Sequence, residues 1–325
     1  MKNLIVTVLL LPLLLFAAAG LFAQELKLGV VTKPGSAQNI AAEKFKELLE
    51  SRSGGKYTVK IYHSSSIGNE TEILQQLQMG TIELGIITDG PFDTFSPMVR
   101  VINYPFLFKD NAQADRILDG PLGQQILDSL EKTGMKGLAF SENGFRDLTN
   151  SKRPVHAAGD VKGLKIRVMS SLLHKSIWQA RGANPTPMPW PIYSELEQGV
   201  VDGQENPLWV MEIYGIHDVQ KYLTITRHVY SAHIDTASLQ WWKTLSTDDQ
   251  RLIQQSMYDA ALFQRRDNRE KDAARLAMVK GKGMVVDEQP DLSSFRAKVA
   301  QLKDSELYSE PDVHKLLLSI LDETK

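Results

Sequence analysis

Cysteine is absent from the 325-residue chain. Its absence removes disulfides, thiol catalysis and thiolate metal sites together, and with them attachment of a lipid through an N-terminal cysteine. A basic surplus is missing as well, since 37 Lys and Arg stand against 39 Asp and Glu for a formal net charge of -2. With no excess of cations to neutralise phosphates, nucleic acid is not an expected partner. Metal and cofactor signatures are lacking too. The histidines, His63, His156, His174, His217, His228, His233 and His314, form no His-Glu-x-x-His, and His228 and His233 are not spaced to share one helix face. No Gly-x-Ser-x-Gly elbow, glycine-rich phosphate loop or dinucleotide fingerprint occurs, and Gly281-Lys282-Gly283 reads as a helix exit. The expectation is no metal, no cofactor and a weakened case for an enzyme. Repeats and low-complexity segments are also absent.

What is present is the composition of a folded soluble protein, 42% hydrophobic and 23% charged, over a length that suits two domains. The first residues, MKNLIVTVLLLPLLLFAAAGLFAQE, carry Lys2, an apolar run from Leu4 and small residues from Ala17 to Ala23. This is the layout of a secretory signal peptide over residues 1–23, with an uncleaved anchor as the alternative. Pro12 interrupts the run and favours cleavage, so the mature chain is expected to begin near Gln24 in a bacterial periplasm.

Beyond the leader, LKLGVV, SAQNIAAEKFKELLESRSGG, YTVKIYH, NETEILQQLQMG and IELGII alternate as strand, helix, strand, helix, strand. That order predicts a parallel sheet covered by helices, which binds ligands beyond the carboxyl ends of its strands. Those ends lead into VTKPGS after Val31 and TDGPFDTF after Ile87. Helical stretches follow at about 111–118 and 121–132. MKGLAFSENGFRDLTN then reads as a strand, a turn at Asn143-Gly144 and a second strand. A second domain opens with GLKIRVM, and includes the helices SLLHKSIWQARG, IYSELEQG and LWVMEIYG and the strand-like runs KYLTITRH and YSAHIDTAS. From Thr247 to about Lys280 the charged pattern predicts one long helix, about 50 Å at 1.5 Å per residue. That length spans both domains. The strand GMVVDEQ and two helices finish the chain.

Two segments carry candidate chemistry. In GLKIRVM, alternation puts Ile166 and Val168 on one face and Lys165, Arg167 and Met169 on the other, so Arg167 either faces water or has a partner. In VVDGQENP, Asp202 and Glu205 have the composition of a general acid and base pair, as in glycoside hydrolysis. The competing local reading makes Asp202-Gly203 a turn and Asn206-Pro207 the cap and first residue of the next helix.

The order SENGFRDLTN, DVKGLKIRVM, TPMPW and VDGQENP resembles the DctP-type solute receptors of tripartite ATP-independent periplasmic (TRAP) transporters. The similarity covers essentially the whole mature chain, including SSSIGNETEILQQLQMGTIELGI and the long late helix. It implies a two-lobed α/β periplasmic binding protein, each lobe a sheet flanked by helices, with a long helix spanning both. It also implies that Arg167 grips a ligand carboxylate, that Arg146 of the Gly-x-Arg segment assists, and that the amide of Asn206 reaches the ligand. A guanidinium suits the first role because its planar fork of donors matches a carboxylate bidentately. One departure stands out. Where many relatives read Pro-Phe-x-Glu-hydrophobic-Tyr, this chain has Pro189-Trp190-Pro191-Ile192-Tyr193, one residue shorter and without the acid. Trp190 is expected either against a sugar ring or aromatic ligand, or packed in the core.

The expected organisation is lobe I from residues 24–147 plus about 233–265, and lobe II from 148–232 plus about 266–325. Discrimination falls to loops near Thr88, Asp89 and Phe92, with Trp209 a further candidate contact. Asp89 either accepts ligand hydroxyls or forms a turn with Gly90. The expected function is capture of a small organic acid, such as a sugar acid or dicarboxylate, closure by a hinge, and delivery to TRAP membrane permease subunits. The surface of the long helix gives no reason for an obligate dimer, so a monomer is expected. The alternatives are a secreted hydrolase using Asp202 and Glu205, and a sensory ligand-binding module.

Overall fold

Alternation of apolar residues with period two, broken by capped helices, organises the first third of the chain. A computed structural model describes residues 23–325, so the expected signal peptide lies, but for Ala23, outside the described residues. The elements are β1 (Gln24–Gly29), α1 (Ala37–Arg52), β2 (Tyr57–Tyr62), α2 (Glu70–Met79), β3 (Leu84–Thr88), α3 (Asn111–Leu118), α4 (Pro121–Ser129) and β4 (Met135–Asn150). They continue as β5 (Lys165–Val168), α5 (Leu172–Ala180), β6 (Asn184–Pro187), α6 (Tyr193–Glu197), β7 (Gly203–Asn206), α7 (Leu208–Ile213) and β8 (Tyr222–Ser238). The chain ends with α8 (Leu239–Trp242), α9 (Thr247–Glu270), α10 (Asp272–Gly281), β9 (Val285–Asp287), α11 (Leu292–Val299) and α12 (Pro311–Glu323). Among the described residues no helix is long and apolar enough to cross a membrane.

The strands form one connected nine-stranded sheet in the order β2-β1-β3-β8-β4-β7-β5-β6, with β9 paired to β8. β1 runs parallel to β2 and β3, and β5 parallel to β6 and β7. The two parallel sets are joined by the antiparallel pair β4 and β8. One end of β8 pairs with β3 while its other end pairs with β9. The far end of β4, Asp147 to Asn150, pairs with β7. The two sheets of the lobed architecture are thus continuous through two long strands.

That continuity corrects the expected hairpin at Asn143-Gly144. The segment is a single 16-residue strand, and the irregularity is a register shift between Glu142 and Gly144 in the ladder with β8. Gly144 has φ +118°, a conformation open to glycine, so the residue that would make a hairpin turn makes a bulge instead. KYLTITRH and YSAHIDTAS likewise fuse into the 17-residue β8. The long helix is divided at Lys271 into α9 and α10. Arg275 Nη1 takes the Asn268 carbonyl at 2.8 Å and the Asn268 side-chain oxygen at 2.7 Å. The same carbonyl accepts from the Lys271 amide at 3.3 Å, and the helix breaks at that turn.

Packing follows the pattern of the sequence. Ile253, Met257, Ala260 and Ala261 of α9 bury against Ala41, Phe45 and Leu49 of α1 and Leu26 and Leu28 of β1. Trp209 and Met211 of α7 pack with Val279 of α10 and Leu223 of β8. A third cluster runs from Ile73 and Leu77 of α2 through Ile234 and Leu148 to Ile166, Trp178 and Leu316. α12 lies back on α3, where Thr324 and Glu323 carbonyls accept from Gln113 at 3.0 Å and Arg116 at 2.9 Å.

Candidate functional site

The carboxyl ends of β1, β3, β5 and β7 converge on one cavity. Val31, Thr32, Gln38, Glu70 and Thr88 line one side. Asn143, Arg146, Arg167, Met169, Trp190, Asn206, Trp209, Val210 and His233 line the rest. This is the place where parallel α/β sheets bind ligands, because strand ends and loops leave a crevice there.

Arg167 stands on the last half of the short strand β5, flanked by Ile166 and Val168, each fully buried. Lys165 remains exposed, yet Arg167 is only 3% exposed because the cavity closes over it. Its Nε and Nη2 donate to the Met188 carbonyl at 3.0 and 2.6 Å, which fixes the plane of the guanidinium. The Trp190 ring centroid lies 5.8 Å from Cζ. Among the described residues Arg167 has no ion-pair partner and Nη1 has no hydrogen-bond acceptor. Burial, seconded by the neighbouring Arg146, brings its pKa down to about 10 against the pull of Glu205, Glu70 and Glu195. At neutral pH it remains a cation with one edge turned to the cavity.

Arg146, on β4, is in the opposite electrostatic situation. Its Nε meets Glu205 Oε2 at 2.5 Å, and its Nη2 meets Glu205 Oε1 at 3.0 Å and also the Glu205 carbonyl. His174 Nδ1 and His228 Nε2 approach the same carboxylate at 3.3 and 3.2 Å. Burial pushes the Glu205 carboxyl up, but Arg146 and the two imidazoles outweigh it and hold it well below the usual range. Burial drops His228 to about 4. Glu205 is therefore a constitutive anion that neutralises Arg146.

This disposes of the acid and base pairing considered for Asp202 and Glu205. Glu205 is enclosed by its cations and donors, and Asp202 accepts from the Lys165 amide at 2.8 Å, outside the cavity lining. The expected cap is corrected as well. Asn206 ends β7 and Pro207 is the N-cap of α7, which leaves Asn206 Nδ2 to donate to Gln204 Oε1 at 2.6 Å while the residue lines the cavity.

Trp190 and Trp209 both line the cavity. Trp190 meets Tyr214 edge to face at 4.6 Å, and Trp209 Nε1 donates to the Asn143 carbonyl at 2.9 Å. Thr88 lines it too. Asp89 and Phe92 do not. Both Asp89 oxygens are occupied, by Ser231 Oγ at 2.9 Å and the Ala232 amide at 2.7 Å, and burial raises its pKa to about 6. This carboxylate ties β8 to the turn after β3 and is not presented for ligand hydroxyls. Phe92 is fully buried in the core.

Reasoning from sequence missed the acid that does face the cavity. Glu70 is the first residue of α2, and its Oε1 accepts from the Thr88 amide at 2.9 Å and Gln38 Nε2 at 3.2 Å. Gln38 also binds Thr32 Oγ1 at 3.0 Å and Thr88 Oγ1 at 3.3 Å. Burial raises the Glu70 pKa against these donors and Arg167. Its sequence signal was its position at the start of the helix after β2, on the ligand-binding side of a parallel sheet. Asn143 and His233 were likewise missed.

Comparison with known proteins agrees with this architecture. Residues 28–310 match the family described as bacterial extracellular solute-binding protein, family 7, or DctP. The chain is 37% identical over 252 residues to the 2,3-diketo-L-gulonate-binding periplasmic protein YiaO of Escherichia coli, covering 77% of each. It superimposes with a TM-score of 0.88 on a TRAP periplasmic solute-binding protein from Polaromonas sp. bound to D-erythronate, at 34% identity over 92% of this chain and 98% of that one. The sugar acid binding protein of Advenella mimigardefordensis in complex with galactonate gives 0.88 at 32% identity over 93% and 98%. The chain belongs to the bacterial extracellular solute-binding proteins of family 7, the DctP-type solute receptors of TRAP transport systems.

Proposed function

We propose that this receptor captures a sugar acid, a polyhydroxylated monocarboxylate, in the cavity between its two lobes. The carrying observation is the buried Arg167 guanidinium, held by one carbonyl and lacking any ion pair of its own. A cation with a free edge on a cavity attracts an anion, and its planar fork selects a carboxylate. Arg146, already neutralised by Glu205, serves as a polar wall and does not hold a second carboxylate. Across from them Glu70, Gln38 and Thr88 present acceptors suited to hydroxyl groups. That wall carries no cation, so it offers a second ligand carboxylate no partner, which argues for sugar acids over dicarboxylates. The named ligands of the relatives above, 2,3-diketo-L-gulonate, D-erythronate and galactonate, have this chemistry. Asn206, Trp190, Trp209 and Thr88 are assigned as contacts that choose among sugar acids.

Lobe I comprises residues 24–147 and about 233–265, and lobe II residues 148–232 and about 266–325, with β4 and β8 as the hinge strands. Occupancy favours the closed arrangement because a ligand touching both lobes binds that state better. The signal peptide is removed near Ala23, and the mature protein works in the periplasm as a monomer that delivers its ligand to TRAP permease subunits. Binding without turnover separates this reading from a hydrolase, and gene neighbours encoding a small and a large membrane subunit separate it from a sensory module.

The test is a thermal-shift screen with D-erythronate, galactonate and succinate, followed by calorimetry. Saturable stabilisation by a sugar acid and none by succinate is expected. Arg167→Ala is expected to weaken capture by about two to three orders of magnitude, the consequence of removing one partner of a desolvated pair worth about 3–5 kcal/mol. Undiminished affinity in that variant, or preference for succinate, overturns the assignment.

A further inference from the structure

The shortened Pro189-Trp190-Pro191 corner has a neighbour that the carboxylate site does not account for. Tyr214 terminates α7 on one side of the cleft, while Lys33 sits in the loop after β1 on the other. The Lys33 amide donates to the Tyr214 hydroxyl at 2.9 Å, bridging 181 residues of sequence. Lys33 Nζ lies 4.9 Å from the centroid of the same ring. On its inner side the tyrosine ring stands edge-on to Trp190, with centroids 4.6 Å apart and planes at 84°. Trp190 in turn faces the Arg167 guanidinium at 5.8 Å. A contiguous run of packed groups therefore leads from the mouth of the cleft to the unpaired cation.

Neither Lys33 nor Tyr214 belongs to the cavity lining described above. The Lys33–Tyr214 hydrogen bond joins two segments that belong to opposite lobes in the assignment above, so separation of the lobes breaks it. Its donor is the backbone amide of Lys33, in the loop after β1. Its acceptor is a single hydroxyl whose removal leaves ring packing intact. The same ring packs against the Trp190 indole, which lies near the Arg167 guanidinium.

We propose that Tyr214 is the latch of the cleft, a positioning residue that sets how long the solute stays and not how fast it arrives. This rests on the receptor reading given above. A bond made only after closure lies beyond the encounter step, so its loss appears in dissociation.

The experiment is stopped-flow tryptophan fluorescence with galactonate and D-erythronate on the mature protein and on Tyr214→Phe and Lys33→Ala, with amide hydrogen exchange of Lys33. In Tyr214→Phe the dissociation rate is expected to rise about 3- to 10-fold, the range set by loss of one hydrogen bond, with the association rate within about twofold of wild type. Lys33→Ala keeps the backbone donor and loses only the cation over the ring, so its dissociation rate rises less, about 2- to 5-fold. Protection of the Lys33 amide appears with ligand in the wild type and is lost in Tyr214→Phe. An unchanged dissociation rate, or a fall in association that accounts for the whole affinity change, ends the latch while leaving the receptor intact. Failure of the wild type to take up either sugar acid ends the receptor assignment and the latch with it.

Discussion

Arg167 and Arg146 show how two residues of one type acquire different tasks from their surroundings. One has a dedicated carboxylate, Glu205, and the other has a lone carbonyl. Reading the sequence located both, because Gly-Leu-Lys-Ile-Arg and Gly-Phe-Arg stand in recognisable segments, but nothing local told them apart. The distinction depends on Glu205, which is 59 residues from Arg146 in sequence and reaches it through the β4–β7 pairing. His233, on the cavity wall, was illegible for a similar reason. It is an ordinary member of a strand until burial and Arg146 lower its pKa to about 3, and its Nδ1 has no hydrogen-bond partner. The pH consequence follows from proton counting. Below about pH 6.5 the unfolded chain protonates this imidazole and the folded chain does not, so the unfolded state binds more protons and stability falls as pH falls toward 3. Urea midpoints of His233→Gln and wild type between pH 7 and 4 are expected to show a shallower acid slope in the variant. Equal slopes would assign the acid sensitivity to other groups.

Elements with strong ends were legible where those ends are local. The segment NETEILQQLQMG is a helix as its pattern predicts, and its cap Asn69 accepts from the Glu72 amide at 3.1 Å while Glu72 Oε2 accepts from the Asn69 amide at 2.8 Å. This reciprocal box also fixes the first turn that carries Glu70. Asn69→Ala is expected to lower unfolding free energy by about 1 kcal/mol, measurable as a reduced urea midpoint with unchanged slope. The element that misled was β4. Asn143-Gly144 has the composition of a two-residue turn, and a turn is the local solution. In the fold, β8 supplies a ladder on both sides of the irregularity, with Glu142 opposite Ala232 and Gly144 opposite Ser231. That partner lies some 90 residues downstream, outside any local window. The same applies to Asn206, where strand pairing with Asp147 displaced the expected cap.

At the scale of the molecule, the sequence announced alternating strands and helices and two lobes, but not that a pair of strands belongs to both. The large apolar cluster that includes Ile73, Ile234, Leu148, Ile166 and Leu316 follows the same continuity. Lobes joined by loops alone unfold as separate units, whereas lobes sharing strands and core are coupled. Urea unfolding of the mature protein is therefore expected to be a single transition. Tryptophan fluorescence, which samples Trp241 and Trp242 in one cluster and Trp209 in another, should share its midpoint with far-UV circular dichroism. Two resolved midpoints would show that the lobes melt independently. The shared strands also limit how this architecture can be recombined. Grafting one half of a relative onto the other half of this chain cuts through β4 and β8 themselves, so a working chimaera has to keep both ribbons from a single parent. New solute preferences are then more readily reached by changing side chains around an inherited frame than by trading halves as cassettes.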